Sequence, residues 1–330
     1  MNYFILFSCC IPVKGVKRAI LCDLQRDKFD FIPIALYNLL IHFSLKGKSI
    51  ENMKDYFENK QDGIIEEYFK FLVGKEYGYL TDKENKLPKI NLSELNESKK
   101  ITNAIVDFSI DSVNDLNVII PQLSELYCEA IELRFFYIIS IESLCKKLNS
   151  TNGSTLRDVE VLIEYSDVYS IENILKIRKE YARLRKITIF NSPNDKIYEH
   201  EEIVIIFTQQ KINTESCGIV NPWYFISKTE TFIEFKRFNS CLNKKISIDI
   251  DGNIKNCPSM KKSFGKIVEK SLKEVIENSD FTSLWTINKD KIKICKVCEF
   301  RYVCQDCRAY IVNQSDICSK PLKCKYNPYE

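Results

Sequence analysis

Eight of the chain's 14 cysteines fall within the 84 residues from Cys241 to Cys324, where an even spread over 330 residues would place about four. Their order is Cys241-x10-Gly252-x4-Cys257, a gap, Cys295-x2-Cys298-x5-Cys304-x2-Cys307, then Cys318 and Cys324. Thiols this dense constrain the chain to fold around something that binds sulfur. Iron-sulfur clusters fit, because iron takes soft anionic sulfur from all sides and tolerates loops as connectors. Disulfides suit small secreted domains, whereas this chain is long, is 28% charged and carries six further cysteines scattered through apolar segments. Zinc uses Cys-x2-Cys hooks too, but zinc ribbons separate their pairs by about 15 to 20 residues. Here only five lie between Cys298 and Cys304.

The spacing resembles the SPASM domain, the C-terminal extension that carries auxiliary iron-sulfur clusters in many radical-AdoMet enzymes acting on ribosomal peptides. One departure is visible: two residues separate Cys304 from Cys307 where that pattern has three. The resemblance implies that Cys241, Cys257 and Cys307 hold a first [4Fe-4S] cluster and Cys295, Cys298, Cys304 and Cys324 a second. The first set is one ligand short; Cys217 or Cys318 could complete it, or its iron stays open. The ending Ser319-Lys-Pro-Leu-Lys-Cys324-Lys-Tyr-Asn-Pro-Tyr329 and the opening Cys10-Ile-Pro-Val-Lys-Gly15 are similar to a narrower group, the SPASM peptide maturases of grasp-with-spasm systems. That likeness implies two partners, a precursor peptide and an ATP-grasp ligase.

Ahead of this segment two more zones separate. Residues 1–95 begin with apolar strands at Tyr3–Cys10 and Ala19–Leu24, joined through a Pro12/Gly15 turn. After Pro33 the period becomes helical, with Ile34, Tyr37, Leu40 and Ile41 on one face and Gly47 as terminator. Ser49 is placed to cap a second helix, a third runs from Gly63 to Val73, and Tyr77–Leu80 reads as a wing. Strands, three short helices and a wing give the order of a winged helix, and the order resembles the PqqD-like element that pairs a leader peptide onto its sheet edge. DNA is disfavoured as ligand, because the third helix carries Asp62, Glu66 and Glu67 against Lys70 and would repel phosphate. Strand addition of a peptide needs only an open edge and a groove.

Residues 100–235 alternate short β-branched strands with amphipathic helices, the pattern of a parallel sheet with helices outside it. Placed before a SPASM domain, this zone resembles the partial barrel of the radical-AdoMet fold. In that family the loop after the first barrel strand carries Cys-x3-Cys-x2-Cys, three thiolates that leave one iron open to AdoMet. Here the segment is Ile105-Val-Asp-Phe-Ser-Ile-Asp-Ser-Val-Asn-Asp115 and holds no cysteine, and the chain has no Gly-Gly pair for the AdoMet-contacting turn. Cys9 and Cys10 lack the spacing to substitute.

The remaining chemistry is sparse. His42 on a helix and His200 in an acidic loop form no motif, and no glycine pattern cradles a nucleotide phosphate. Asp249 and Asp251 flank the Gly252-Asn253 turn and read as hairpin chemistry, while Cys22, Cys128 and Cys145 read as buried thiols. Net charge of +3 implies no nucleic-acid partner, and no apolar run is long enough to span a bilayer. The expectation is thus a cytoplasmic α/β protein in three parts: a PqqD-like recognition domain at 1–95, a degenerate radical-AdoMet-like partial barrel at 100–235 and a SPASM iron-sulfur domain at 236–330. Its expected role is maturation of a ribosomal peptide. The alternatives are a redox enzyme working through its clusters and a zinc-bearing winged-helix regulator.

Overall fold

The computed structural model describes residues 2–330 other than 84–86, 89, 91–98 and 219. It divides into two compact units, one formed by Met1–Leu95, Ile219–Ser240 and Ile287–Glu330, the other by Asn96–Gly218 and Cys241–Thr286. Residues 236–330, expected as one C-terminal domain, are therefore shared between the units. The physical reason is a strand at Lys245–Ile248 that adds to the parallel sheet of the second unit and takes its neighbours with it.

The first unit opens with β1 (Tyr3–Leu6), β2 (Cys10–Lys14), β3 (Ala19–Asp23) and β4 (Lys28–Ile32), followed by α1 (Ile34–His42), α2 (Ile50–Tyr56), α3 (Asp62–Gly74) and β5 (Gly78–Thr81). Strands β2, β3 and β4 form an antiparallel sheet with β3 in the centre. All five residues of β3 are buried, and the first four, Ala19 to Cys22, read as an apolar run. Ala19 and Leu21 join the core beneath α1 to α3, with Leu36, Met53 and Phe69, while Ile20 and Cys22 join a second core with Phe232, Phe300 and Val303. Ser49 caps α2 as expected, its Oγ accepting from the Asn52 N–H at 3.1 Å while Asn52 Oδ1 accepts from the Ser49 N–H at 3.2 Å. The expected wing at Tyr77–Leu80 is instead β5, which pairs antiparallel with β1, Phe4 facing Leu80. Gly78 is required there, since a Cβ would run into the Ile5 carbonyl oxygen and the Phe4 ring.

In the second unit β6 (Asn103–Phe108), β7 (Ala130–Phe135), β8 (Asp158–Glu164) and β9 (Leu184–Phe190) alternate with α4 (Leu116–Glu125), α5 (Ile141–Asn149) and α6 (Ile171–Glu180), before β10 (Lys196–His200) and β11 (Ile203–Phe207). Asp115, Ser140 and Ser170 cap the three helices, each accepting a backbone N–H of the first turn. The chain passes through α7 (Thr229–Arg237) of the first unit and returns with β12 (Lys245–Ile248), β13 (Ile254–Lys255), α8 (Leu272–Ile276) and α9 (Ser279–Thr282). One eight-stranded sheet results, in the order β10-β11-β9-β8-β7-β6-β12-β13. Only the pairings at its two edges, β10 with β11 and β13 with β12, are antiparallel. Ile131, Leu133 and Phe135 of β7 point into the core shared with Leu116, Ile120 and Leu144 of the helices. Alternation sends Glu132 and Arg134 to the opposite face. The whole is a mixed α/β structure, and among the described residues no helix is long and apolar enough to cross a membrane.

Candidate metal centres

In the first unit the cysteine-rich segment has little regular structure. A single 3-10 turn at Cys295–Val297 closes with the Cys298 N–H bonding the Cys295 carbonyl at 2.9 Å. The Cys304 N–H bonds the Phe300 carbonyl at 2.9 Å, so Cys295, Cys298 and Cys304 sit on two consecutive turns. Their charges act on one another: Cys295 and Cys324 on Cys304, Cys304 and Cys295 on Cys298. These four cysteines therefore lie in one neighbourhood of the first unit. Burial pushes the Cys298 thiol up to about 12 and the Cys304 thiol up to about 11, with Lys289 drawing the latter back. Lys289 is itself buried, with Nζ 3.7 Å from Cys304 Sγ, 3.0 Å from the Gln305 carbonyl and 3.5 Å from Asp306 Oδ1. Asp306 pairs with the buried Arg308 at 2.7 Å and accepts from Asn239 at 2.7 Å. Cys307 lies in the same unit, buried, with its Sγ receiving the Tyr310 N–H at 3.4 Å. Cys318 is half-buried, its N–H held by Asp316 at 3.0 Å.

This segment is anchored on the N-terminal sheet of its own unit. Glu299, buried between Cys298 and Phe300, takes Arg18 Nε at 2.7 Å and the Tyr326 hydroxyl at 2.6 Å. Gly15 leaves the room for this, as a Cβ would lie 2.6 Å from Glu299 Oε2. The opening around Gly15 and the ending around Tyr326, noted separately in the sequence, are thereby neighbours.

The second unit holds Cys241 and Cys257, with Cys217 beside them. A side-chain hydrogen bond from Cys217, then burial and the charge of Cys241, raise the Cys257 thiol. Lys245 Nζ stands 3.6 Å from Cys241 Sγ, and Cys217 Sγ lies 2.9 Å from Ser259 Oγ. Cys241 and Cys257 flank the β12–β13 hairpin, whose turn is built as expected. Asp249 Oδ1 accepts the N–H groups of Asp251 at 3.0 Å and Asn253 at 2.9 Å, and Gly252 takes φ +77°. Among the three cysteines expected for the first cluster, Cys241 and Cys257 thus share a unit with Cys217, and Cys307 belongs to the other.

The donor set fits iron-sulfur chemistry. Every candidate is a sulfur, no histidine is among them, and lysine ammonium and backbone N–H groups point at the sulfurs, as suits thiolates that carry charge. A tetrahedral zinc, with Zn–S of about 2.3 Å, needs sulfurs about 3.8 Å apart. Among the described residues no three of these thiols converge even within 4.8 Å of one another. The lysines were invisible to sequence reasoning, because nothing local marks Lys245 or Lys289 as buried beside sulfur.

Residues 240–299 match the family model of the SPASM iron-sulfur cluster-binding domain. The match takes in Cys241, Cys257, Cys295 and Cys298 and makes this stretch an iron-sulfur cluster-binding domain. No curated protein matches the chain.

At the C-terminal ends of β6 and β7, where the radical-AdoMet resemblance places the catalytic loop, the second unit has an ion pair. Arg134 meets Asp107 in a bidentate pair, Nε to Oδ1 at 2.6 Å and Nη2 to Oδ2 at 2.7 Å, both side chains buried. Asn114 of the following loop donates to the Asp107 carbonyl at 2.8 Å and the Asp249 carbonyl at 2.7 Å.

Proposed function

We propose that the protein is a SPASM peptide maturase of the grasp-with-spasm kind, which binds a ribosomally made precursor and presents it to an ATP-grasp ligase. It would carry [4Fe-4S] clusters, the better-defined one on Cys295, Cys298, Cys304 and Cys324. The other would rest on Cys241, Cys257 and Cys307, with Cys217 or Cys318 as a possible completing ligand. In this reading residues 1–95 are a PqqD-like leader-binding element and residues 100–235 a radical-AdoMet-like partial barrel that has lost its AdoMet cluster. The protein works in the cytoplasm, without nucleic acid or membrane.

The observation that carries the reading is the SPASM match at residues 240–299, which takes in Cys241, Cys257, Cys295 and Cys298; the mutual influence of Cys295, Cys304 and Cys324 supports the second ligand set. The acidic face of α3, with Glu66 and Glu67 exposed, supports peptide over DNA. The buried Asp107–Arg134 pair supports a scaffold over a radical enzyme, since it occupies the ends of the strands that would feed an AdoMet loop. Anaerobically purified protein should contain iron and sulfide in similar amounts. It should also bind the cognate leader peptide, with affinity that survives moderate salt, and yield no 5′-deoxyadenosine from AdoMet under dithionite. Colourless protein holding only zinc, or AdoMet cleavage above a cluster-free control, would overturn the reading.

A further inference from the structure

Six cysteines lie outside the Cys241–Cys324 run, and two of them are adjacent in the chain. Cys10 opens β2 and stands directly across the ladder from Asp23, the last residue of β3, so their side chains share one face. Cys9 precedes them in a turn pinned by its carbonyl, which accepts the Leu24 N–H at 3.0 Å. As a result both sulfurs and a carboxylate oxygen of Asp23 lie within 4.8 Å of one another, with Cys9 Sγ and Cys10 Sγ 3.9 Å apart.

The surroundings are built to hold that arrangement. Asp23 is buried, and its Oδ1 accepts the N–H groups of Gln25 and Arg26, each at 3.1 Å. Its Oδ2 meets Arg26 Nε at 2.5 Å, and Arg26 is tied in turn to Glu76 at 2.8 Å. A carboxylate fixed this way is preoriented, as metal-ligating carboxylates are. Cys9, Asp23, Gln25 and Arg26 line a cavity of about 700 Å³, and Gln25 Oε1 sits 3.8 Å from Cys9 Sγ. Cys10 is buried behind them, and the Cys9 sulfur faces the cavity.

We propose that Cys9, Cys10 and Asp23 form a further metal site for a zinc-like divalent cation, with its fourth position open to the cavity beside Gln25. Two thiolates and a carboxylate are the borderline-soft donor set that zinc takes, and three protein ligands with one open position are the pattern of a reactive zinc site. Two thiolates, Asp23 and Glu76 face Arg26 and the divalent ion, leaving one net negative charge beside the cavity. Binding releases the two thiol protons, while the closely spaced sulfurs suit a single ion better than an iron cube.

The test uses the full chain with its clusters in place, given zinc chloride and freed of unbound metal by gel filtration. Zinc K-edge absorption sees zinc alone, so the iron-bound sulfurs do not contribute. The expected result is a single retained zinc with two sulfurs at about 2.3 Å and oxygen at about 2.0 to 2.2 Å. Cys9→Ser, at a half-buried position, should lower zinc affinity by more than the roughly 10- to 100-fold that loss of a supporting group costs, with iron content unchanged. Asp23→Asn and Cys10→Ser should act alike; should the buried Cys10→Ser not fold, Cys9→Ser decides alone. Zinc surrounded by four sulfurs, zinc retained undiminished by Cys9→Ser, no zinc retained, or a Cys9–Cys10 disulfide in the peptide map would each overturn the proposal.

Discussion

Arg134 and Asp107 illustrate how much a single side chain can decide. They are cross-strand partners on β6 and β7, and neither has solvent to fall back on. Burial lifts the Asp107 carboxyl above its ordinary value, and two short guanidinium bonds offset only part of that. Arg134→Met should therefore cost about 3 to 5 kcal/mol in a denaturant melt, since it strands a buried carboxylate. Asp107→Leu combined with Arg134→Met should recover most of that loss; a double variant as unstable as the single one would show that the pair is not acting as a unit. Ser49 and the Asp249 turn were legible from sequence because a cap and a hairpin are written in four or five consecutive residues. Arg134 and Lys289 were not, since their partners lie 27 and 15 residues off, and only packing reveals them.

At the level of elements, the strand and helix alternation of residues 100–235 was readable because buried parallel strands are short continuous apolar runs. The pairing was not: β10, carrying His200, was read as an acidic loop, since its exposed edge position leaves no apolar signature. Likewise β5 has the composition of a wing, yet its partner β1 lies at the other end of the domain, a choice set by tertiary contact rather than by local sequence. The β12–β13 hairpin offers a pH test. Although burial pushes the Asp249 carboxyl up, Lys255 at 2.6 Å and the Asn253 donors hold it below its ordinary value. A folded pKa below about 3.9 means that this contribution is in place above that pH and is lost as pH falls through the depressed value. Asp249→Asn should cost about 1.5 to 3 kcal/mol at neutral pH and flatten the drop in melting temperature below about pH 4; an unchanged acid limb would assign that drop to other carboxylates.

For the whole chain, the cysteine-rich segment and the N-terminal sheet belong to one core. Val13, Ile20 and Cys22 pack with Phe300, Val303 and Cys304, and Phe29 meets Phe300 at 5.8 Å. Cys298→Ala, which removes a proposed cluster ligand, should thus be felt far along the sequence. Hydrogen exchange at Ile20 and Leu21 should accelerate in the variant while β7 and β8 keep their protection, because metal binding there is coupled to folding of the first unit. Faster exchange across both units, or in neither, would sever that link.

The interleaving of the two units also sets a timetable for synthesis. Residues 1–95 leave the ribosome first, at about 5 to 20 residues per second, yet the outer face of their central sheet has its covering only in residues 219–240 and 287–330. For that interval of roughly ten seconds or more, Ile20, Cys22 and Phe29 are a sticky surface on a nascent chain. A cell that makes this protein must therefore shield the N-terminal sheet until its cysteine-rich lid has been translated, and iron delivered earlier than that would find no finished site to enter.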